Sequence, residues 1–141
     1  MIIKQLSVFL ENKSGRLSEV TTVLGKAGIN MTAFSIADTS DFGILRVIVS
    51  DPKKALEILK ENNFSVRLTD VICLKCANEP GSLSNILEIL DNEGVTIEYM
   101  YAFSTGDTAN IVIRPTNVQK GIEILQKNNI DLLNSNDLYS V

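Results

Sequence analysis

Displaced by 66 residues, the sequence lies over itself without a gap from Asn12 to Val66. Identical residues meet at Asn12/Asn78, Gly15/Gly81, Leu17/Leu83, Ser18/Ser84, Leu24/Leu90, Gly28/Gly94, Lys54/Lys120 and Glu57/Glu123, and again at Asn62/Asn128 and Asn63/Asn129. Conservative pairs such as Val20/Ile86, Val23/Ile89 and Val47/Ile113 fall between them. Chance does not concentrate so many matches at one offset, so the chain is a duplicated module with little or no linker. Residues 1–69 are read as the first module and residues 70–141 as the second.

Both copies carry the same punctuation. In the first, residues 3–10 alternate as a strand, with Leu6, Val8 and Leu10 on one face. The string Asn12-Lys13-Ser14-Gly15-Arg16-Leu17 follows, and then Leu17, Val20, Val23, Leu24 and Ala27 recur at helical spacing. Gly28 stands where a left-handed helix stop belongs. Strands are predicted at 29–38 and 42–49, separated by the turn Thr39-Ser40-Asp41. Asp51-Pro52 is a helix start, with Asp as N-cap and Pro at the first helical position. Ala55, Leu56, Ile58 and Leu59 give that helix its apolar stripe, Asn62-Asn63 ends it, and residues 64–68 form a short strand. The second copy predicts a strand at 71–77, the turn Asn78-Glu79-Pro80-Gly81-Ser82-Leu83, and a helix at 82–93 ended by Gly94. Strands at 95–103 and 108–114, a helix at 117–127 and a strand at 130–133 complete it. The polar tail 135–141 is expected to cover an edge or fray.

The order β-α-β-β-α-β, met twice, predicts an α+β chain of two ferredoxin-like sandwiches. Each has an antiparallel sheet with its helices on one face. Stretches such as 44–49 are apolar on both faces, so the second face of the sheet, carrying Phe9 and Val71, also needs cover. A module this small buries only about 60% of its surface alone. Tight pairing of the modules is therefore expected, and a homodimer with it.

Composition removes several function classes. The formal net charge is -4 and the basic residues are scattered, which disfavours a nucleic-acid surface. No apolar run approaches the roughly 20 residues of a membrane span, and the N-terminus lacks the layout of a signal peptide. No membrane association and a cytoplasmic location are expected. The chain has no His, the commonest general base near neutral pH. Carboxylate chemistry through Asp41, Asp107 or Glu98 remains as a weaker enzyme reading, and the reading adopted is that of a non-enzyme without cofactor. Cys73 and Cys76 match C-x-x-C. On a strand, however, residues three apart point to opposite faces, and with no other Cys and no His a zinc site has too few ligands. The pair reads as packing, with Cys76 buried, and no metal site is expected.

The doubled turn, the helix ending near glycine, and strand starts such as Gly94-Val95-Thr96-Ile97 and Gly28-Ile29-Asn30-Met31 resemble the ACT-domain family. The resemblance covers nearly the whole chain. It implies a regulatory module that binds a small molecule, most often an amino acid, at an interface between paired modules. Carried over residue by residue, the implied ligand-binding positions are Asn12, Lys13, Ser14, Gly15, Arg16 and Leu17 with Asn30 and Met31. In the second module they are Asn78, Glu79, Pro80, Gly81, Ser82 and Leu83 with Thr96 and Ile97. Free N–H groups at such a turn can receive a carboxylate. Lys13 and Arg16 make the first turn basic and Glu79 makes the second acidic, so unequal sites are expected. The effector is expected to modulate an enzyme partner. The alternative is a ligand-independent regulatory subunit or scaffold for an enzyme of amino-acid metabolism. A purely architectural role for the turn glycines stays open. Core or interface packing is favoured over a ligand cage for Tyr99, Tyr101 and Phe103, and Arg46 or Arg114 could pair with an acid across the module interface.

Overall fold

The computed structural model describes residues 1–11, 15–38 and 42–139. In chain order these form β1 (Ile3–Glu11), α1 (Arg16–Lys26), β2 (Met31–Asp38), β3 (Phe42–Val49), α2 (Pro52–Glu61) and β4 (Ser65–Ala77). They continue with α3 (Ser82–Asn92), β5 (Ile97–Thr105), β6 (Thr108–Pro115), α4 (Val118–Lys127) and α5 (Ser135–Tyr139). The turn expected at 39–41 lies outside the described residues. The chain divides into two compact units. One holds Lys4–Thr69 with the segment from Asn136 onward; the other holds Met1–Ile3 with Asp70–Ser135.

In the unit built on Lys4–Thr69, β3 pairs antiparallel with β1 (Leu6 opposite Val47) and with β2 (Phe34 opposite Val47). β1 is bonded on its other side to β4, and the Ser7 and Thr69 hydroxyls meet at 2.9 Å. Alternation puts Leu6, Val8, Leu10, Leu45 and Val47 on one face, where they meet Val20 and Leu24 of α1 and Ala55 and Leu59 of α2. Burying each leucine of this set contributes about 1.5–3 kcal/mol. The opposite face is also closed. Gln5 and Ser7 are buried there, and the Gln5 amide donates to Ser7 Oγ at 3.1 Å. The short helix α5 belongs to this unit. Leu138 is only 2% exposed, and Thr32 Oγ1 donates to its carbonyl at 3.4 Å. Tyr139 Oη accepts from Lys4 N–H at 2.8 Å and donates back to the Lys4 carbonyl at 3.3 Å.

In the other unit, β6 pairs antiparallel with β4 (Ile72 opposite Ile113) and with β5 (Tyr101 opposite Val112). Ile72, Leu74 and Ile113 meet Ile86 and Leu90 of α3 and Ile122 and Leu125 of α4. Met1 reaches this unit, its Sδ accepting from Gln126 Nε2 at 3.4 Å.

The helix ends follow the residues read for them. Asp51 and Asn117 cap α2 and α4, each side chain accepting the backbone N–H three residues on, from Lys54 at 3.1 Å and Lys120 at 3.0 Å. Gly28, Asn63, Gly94 and Asn129 all take positive φ after their helices. Ile29 N–H bonds back to the Leu24 carbonyl and Val95 N–H to that of Leu90, both at 3.0 Å. These two residues are therefore spent on the helix stops, and β2 and β5 begin at Met31 and Ile97 rather than at 29 and 95.

Four expectations need correction. The two strands read at 64–68 and 71–77 are one continuous strand, β4, since no Gly, Pro or Asn interrupts them. The strand read at 130–133 is a single bridge between Leu74 and Leu132. Two backbone bonds, Lys75 N–H to Asp131 O and Leu133 N–H to Cys73 O, both 2.8 Å, are its whole ladder before the chain turns into α5. The tail is that helix, anchored by Leu138. Finally, Cys73 is the fully buried cysteine and Cys76 is only partly buried. The pair does face opposite ways, with Cys76 packing against the helix-side core and Cys73 outside it, and both thiols are free.

Candidate functional site

The two glycine turns build the same local geometry. Gly15 has φ 87° and Gly81 φ 88°, in the left-handed region, and each opens a helix with no side-chain hydrogen bond to the first turn. A β-carbon is disfavoured at such φ, which is why glycine stands there. Residues at the N-cap of a helix normally supply an oxygen to its orphan N–H groups. α2 and α4 have one, and among the described residues no side chain caps α1 or α3, so the positive dipole ends of these two helices carry no capping side chain there. At the second turn the Ser82 N–H contacts the Glu79 carbonyl at 3.2 Å and Ser84 Oγ donates to the Gly81 carbonyl at 3.0 Å. Asn78 N–H is tied to the Asp107 carbonyl at 2.8 Å, which anchors this turn to the β5–β6 hairpin.

Beside the first turn lies a hollow of about 350 Å³ lined by Phe9, Glu11, Arg16, Phe42, Asn63 and Ser65. Arg16 stacks its guanidinium over the Phe64 ring at 4.3 Å and donates from Nη1 to Glu19 Oε2 at 2.8 Å. Its Nε is buried with no acceptor among the described residues. A larger hollow of about 570 Å³ lies along α3 and the start of β5, with Leu87, Glu88, Asp91, Thr96, Ile97 and Met100 in its wall.

The expected ligand positions distribute as follows. Asn12, Lys13 and Ser14 lie outside the described residues. Gly15 and Arg16 sit at the first hollow's end of the module, and Leu17 is 43% exposed. Asn30 and Met31 are not in that lining. Asn30 is tied to Ser50 by its N–H (3.0 Å, to Oγ) and its carbonyl (2.9 Å, from N–H), and Met31 packs against the core. In the second module Asn78, Glu79, Pro80 and Gly81 are exposed, Ser82 is half-buried, and Leu83 packs on the core. Thr96 and Ile97 come together in the larger hollow, whose lining does not include the Gly81 turn. Nothing in the sequence marks Glu11 and Phe42 as candidates, because only the third dimension brings two strand ends to one helix start. Asn63 carries a signal, its helix-stop position, but that signal speaks for a helix end and not for a site.

Arg114 pairs with Glu98 of its own unit at 3.7 Å rather than with an acid across a module interface, and donates to the Asp70 carbonyl at 2.6 Å. Tyr99, Tyr101 and Phe103 lie half-buried on one face of β5. Among the described residues no group of three or more His, Cys, Asp or Glu side chains is placed to hold a metal, and no helix is long and apolar enough to cross a membrane.

The family described as an ACT domain pair matches residues 1–141. The chain belongs to that family. Its two sandwiches are thus ferredoxin-like ACT modules, as the doubled turn implied. Protein BT0572 from Bacteroides thetaiotaomicron is similar at 56% identity over 100% of this chain and 98% of that one, with a TM-score of 0.96. The ligand-free regulatory subunit of aspartate kinase from Thermus thermophilus shares the ACT-pair fold at 14% identity and TM-score 0.66, over 89% of this chain and 93% of that one. The aspartokinase alpha and beta subunits share it at 17% and 0.57, over 87% and 90%. A search of the curated proteins finds no match.

Proposed function

We propose that this ACT domain pair, built of modules 1–69 and 70–141, is a non-catalytic regulatory sensor. It binds an amino acid at the strand–helix turns and modulates an enzyme partner, acting as a homodimer in the cytoplasm. One contrast carries the reading: α2 and α4 are capped by their own side chains, whereas α1 and α3 open at positive-φ glycines with no side-chain cap among the described residues. Helix N–H groups left without a capping side chain suit the carboxylate that every amino acid presents. Binding acts on the partner only through a difference in affinity between two states of the protein, so the liganded and free forms differ in how the modules or chains associate. That a protein of the same fold is named a regulatory subunit of aspartate kinase supports an enzyme partner. Titration calorimetry against the common amino acids tests the reading. Saturable heat from at least one is expected, and silence toward all of them by folded protein would overturn it.

A second reading, a ligand-independent scaffold, is favoured by one observation. Phe34 and Ile36, at 62% and 50% exposed, project from β2, which ends the strand order. Exposed apolar side chains on an edge strand suit a protein partner. Co-purification of an enzyme that is unchanged by any amino acid would select this reading.

A further inference from the structure

The amino-acid reading leaves open which side chain the effector carries, and the two modules differ on this point. The hollow beside the first turn is large enough for one amino acid and draws its charge from Arg16 and Glu11. At the positions 66 residues on, the second module has Ser82 and Ala77. Both charges are lost together there.

Arg16 is held in an unfinished arrangement. Its Nη1 is engaged by Glu19 in an exposed i,i+3 pair, a type of contact that is weak and readily exchanged. Its Cζ lies 4.3 Å over the Phe64 ring, as suits the delocalised guanidinium. Its Nε–H is buried and has no acceptor among the described residues, which is unfavourable for a donor taken out of water. A small turn of the side chain toward the hollow it already lines lets Nε and Nη2 share one carboxylate through two parallel bonds. Arg67, 5.4 Å over the Phe9 ring, adds a second cation beside the same wall.

Resting on the amino-acid reading, we infer that the first-module hollow takes an amino acid with two carboxylates, aspartate or glutamate, and that Arg16 selects it. One carboxylate meets the N–H groups at the start of α1, the other meets Arg16, and the ammonium meets Glu11. The second module, without either charged residue, has no such preference.

Calorimetry on the full chain compares aspartate with asparagine and glutamate with glutamine, for wild type, Arg16→Gln and Arg16→Lys. One acid binds at one per chain, roughly tenfold or more tighter than its amide, as loss of a hydrogen bond to a charged group requires. Arg16→Gln abolishes the ratio while its thermal melt remains cooperative, and Arg16→Lys, which keeps the charge but not the fork, restores part of it. An amide that binds as tightly as its acid, or a ratio untouched in Arg16→Gln, overturns the assignment and leaves the amino-acid reading standing. Should Arg16→Gln fail to fold, the Arg16→Lys ratio decides: an unchanged ratio overturns the assignment, and a reduced one supports it. Silence of the wild type toward every amino acid overturns both.

Discussion

Cys73 is sealed into the unit that β4 enters, and burial pushes its thiol from 9.0 up to about 12, with Lys75 opposing weakly. The thiolate is the reactive form, so Cys73 stays inert at pH 8 while the partly exposed Cys76 does not. A disulfide-exchange reagent should titrate one thiol in native protein and two in denaturant. Two fast native thiols would contradict the burial. The same shift has a pH consequence. Because the folded pKa is raised, the folded state holds the proton longer than the unfolded state does. The stability this gives is complete below about pH 9 and is lost as pH rises toward 12. Denaturation midpoints should therefore fall over that alkaline window, and less steeply in Cys73→Ala. The two thiols face opposite ways as alternation requires, and the fully buried one is Cys73 rather than Cys76. Strand alternation fixes opposite faces, but which face is the better sealed depends on what packs on each.

At the scale of elements, the helices divide by how they start. Asp51 and Asn117 each close a backbone donor at about 3 Å. Asp51→Ala and Asn117→Ala should each lower stability by about 1 kcal/mol, read from urea midpoints. Their separate loss should be close to additive, since they serve different cores. A double variant much worse than the sum would show that the two caps are energetically coupled. These starts and the stops at Gly28, Asn63, Gly94 and Asn129 were legible because each rests on one residue's own backbone preference. The junction in β4 was not. Asp70 is a residue that favours turns, yet β4 runs straight through it, because its extended form is set by strands on either side that lie far off in sequence. The hollow beside Arg16 was half legible for the same reason: the turn is local, whereas Glu11, Phe42 and Asn63 arrive from three separate elements.

For the molecule as a whole, each compact unit borrows a terminal segment from beyond its own repeat. Leu138 is buried in the unit of the first repeat, so Leu138→Ala should cost about 2–5 kcal/mol. The loss should register at amides of β1 and β2 in hydrogen exchange, not only in α5. Protection unchanged in those strands would refute the tie. The exchange of ends also sets an order of events during synthesis. A ribosome releases Lys4–Thr69 long before Leu138 and Tyr139, so the first repeat must wait, with one face of β1 and β2 uncovered, for residues made after the second repeat. Domains that fold as they emerge gain protection from that sequence of events; this chain forgoes it, and its first half is most exposed to misassociation while the second is still being made.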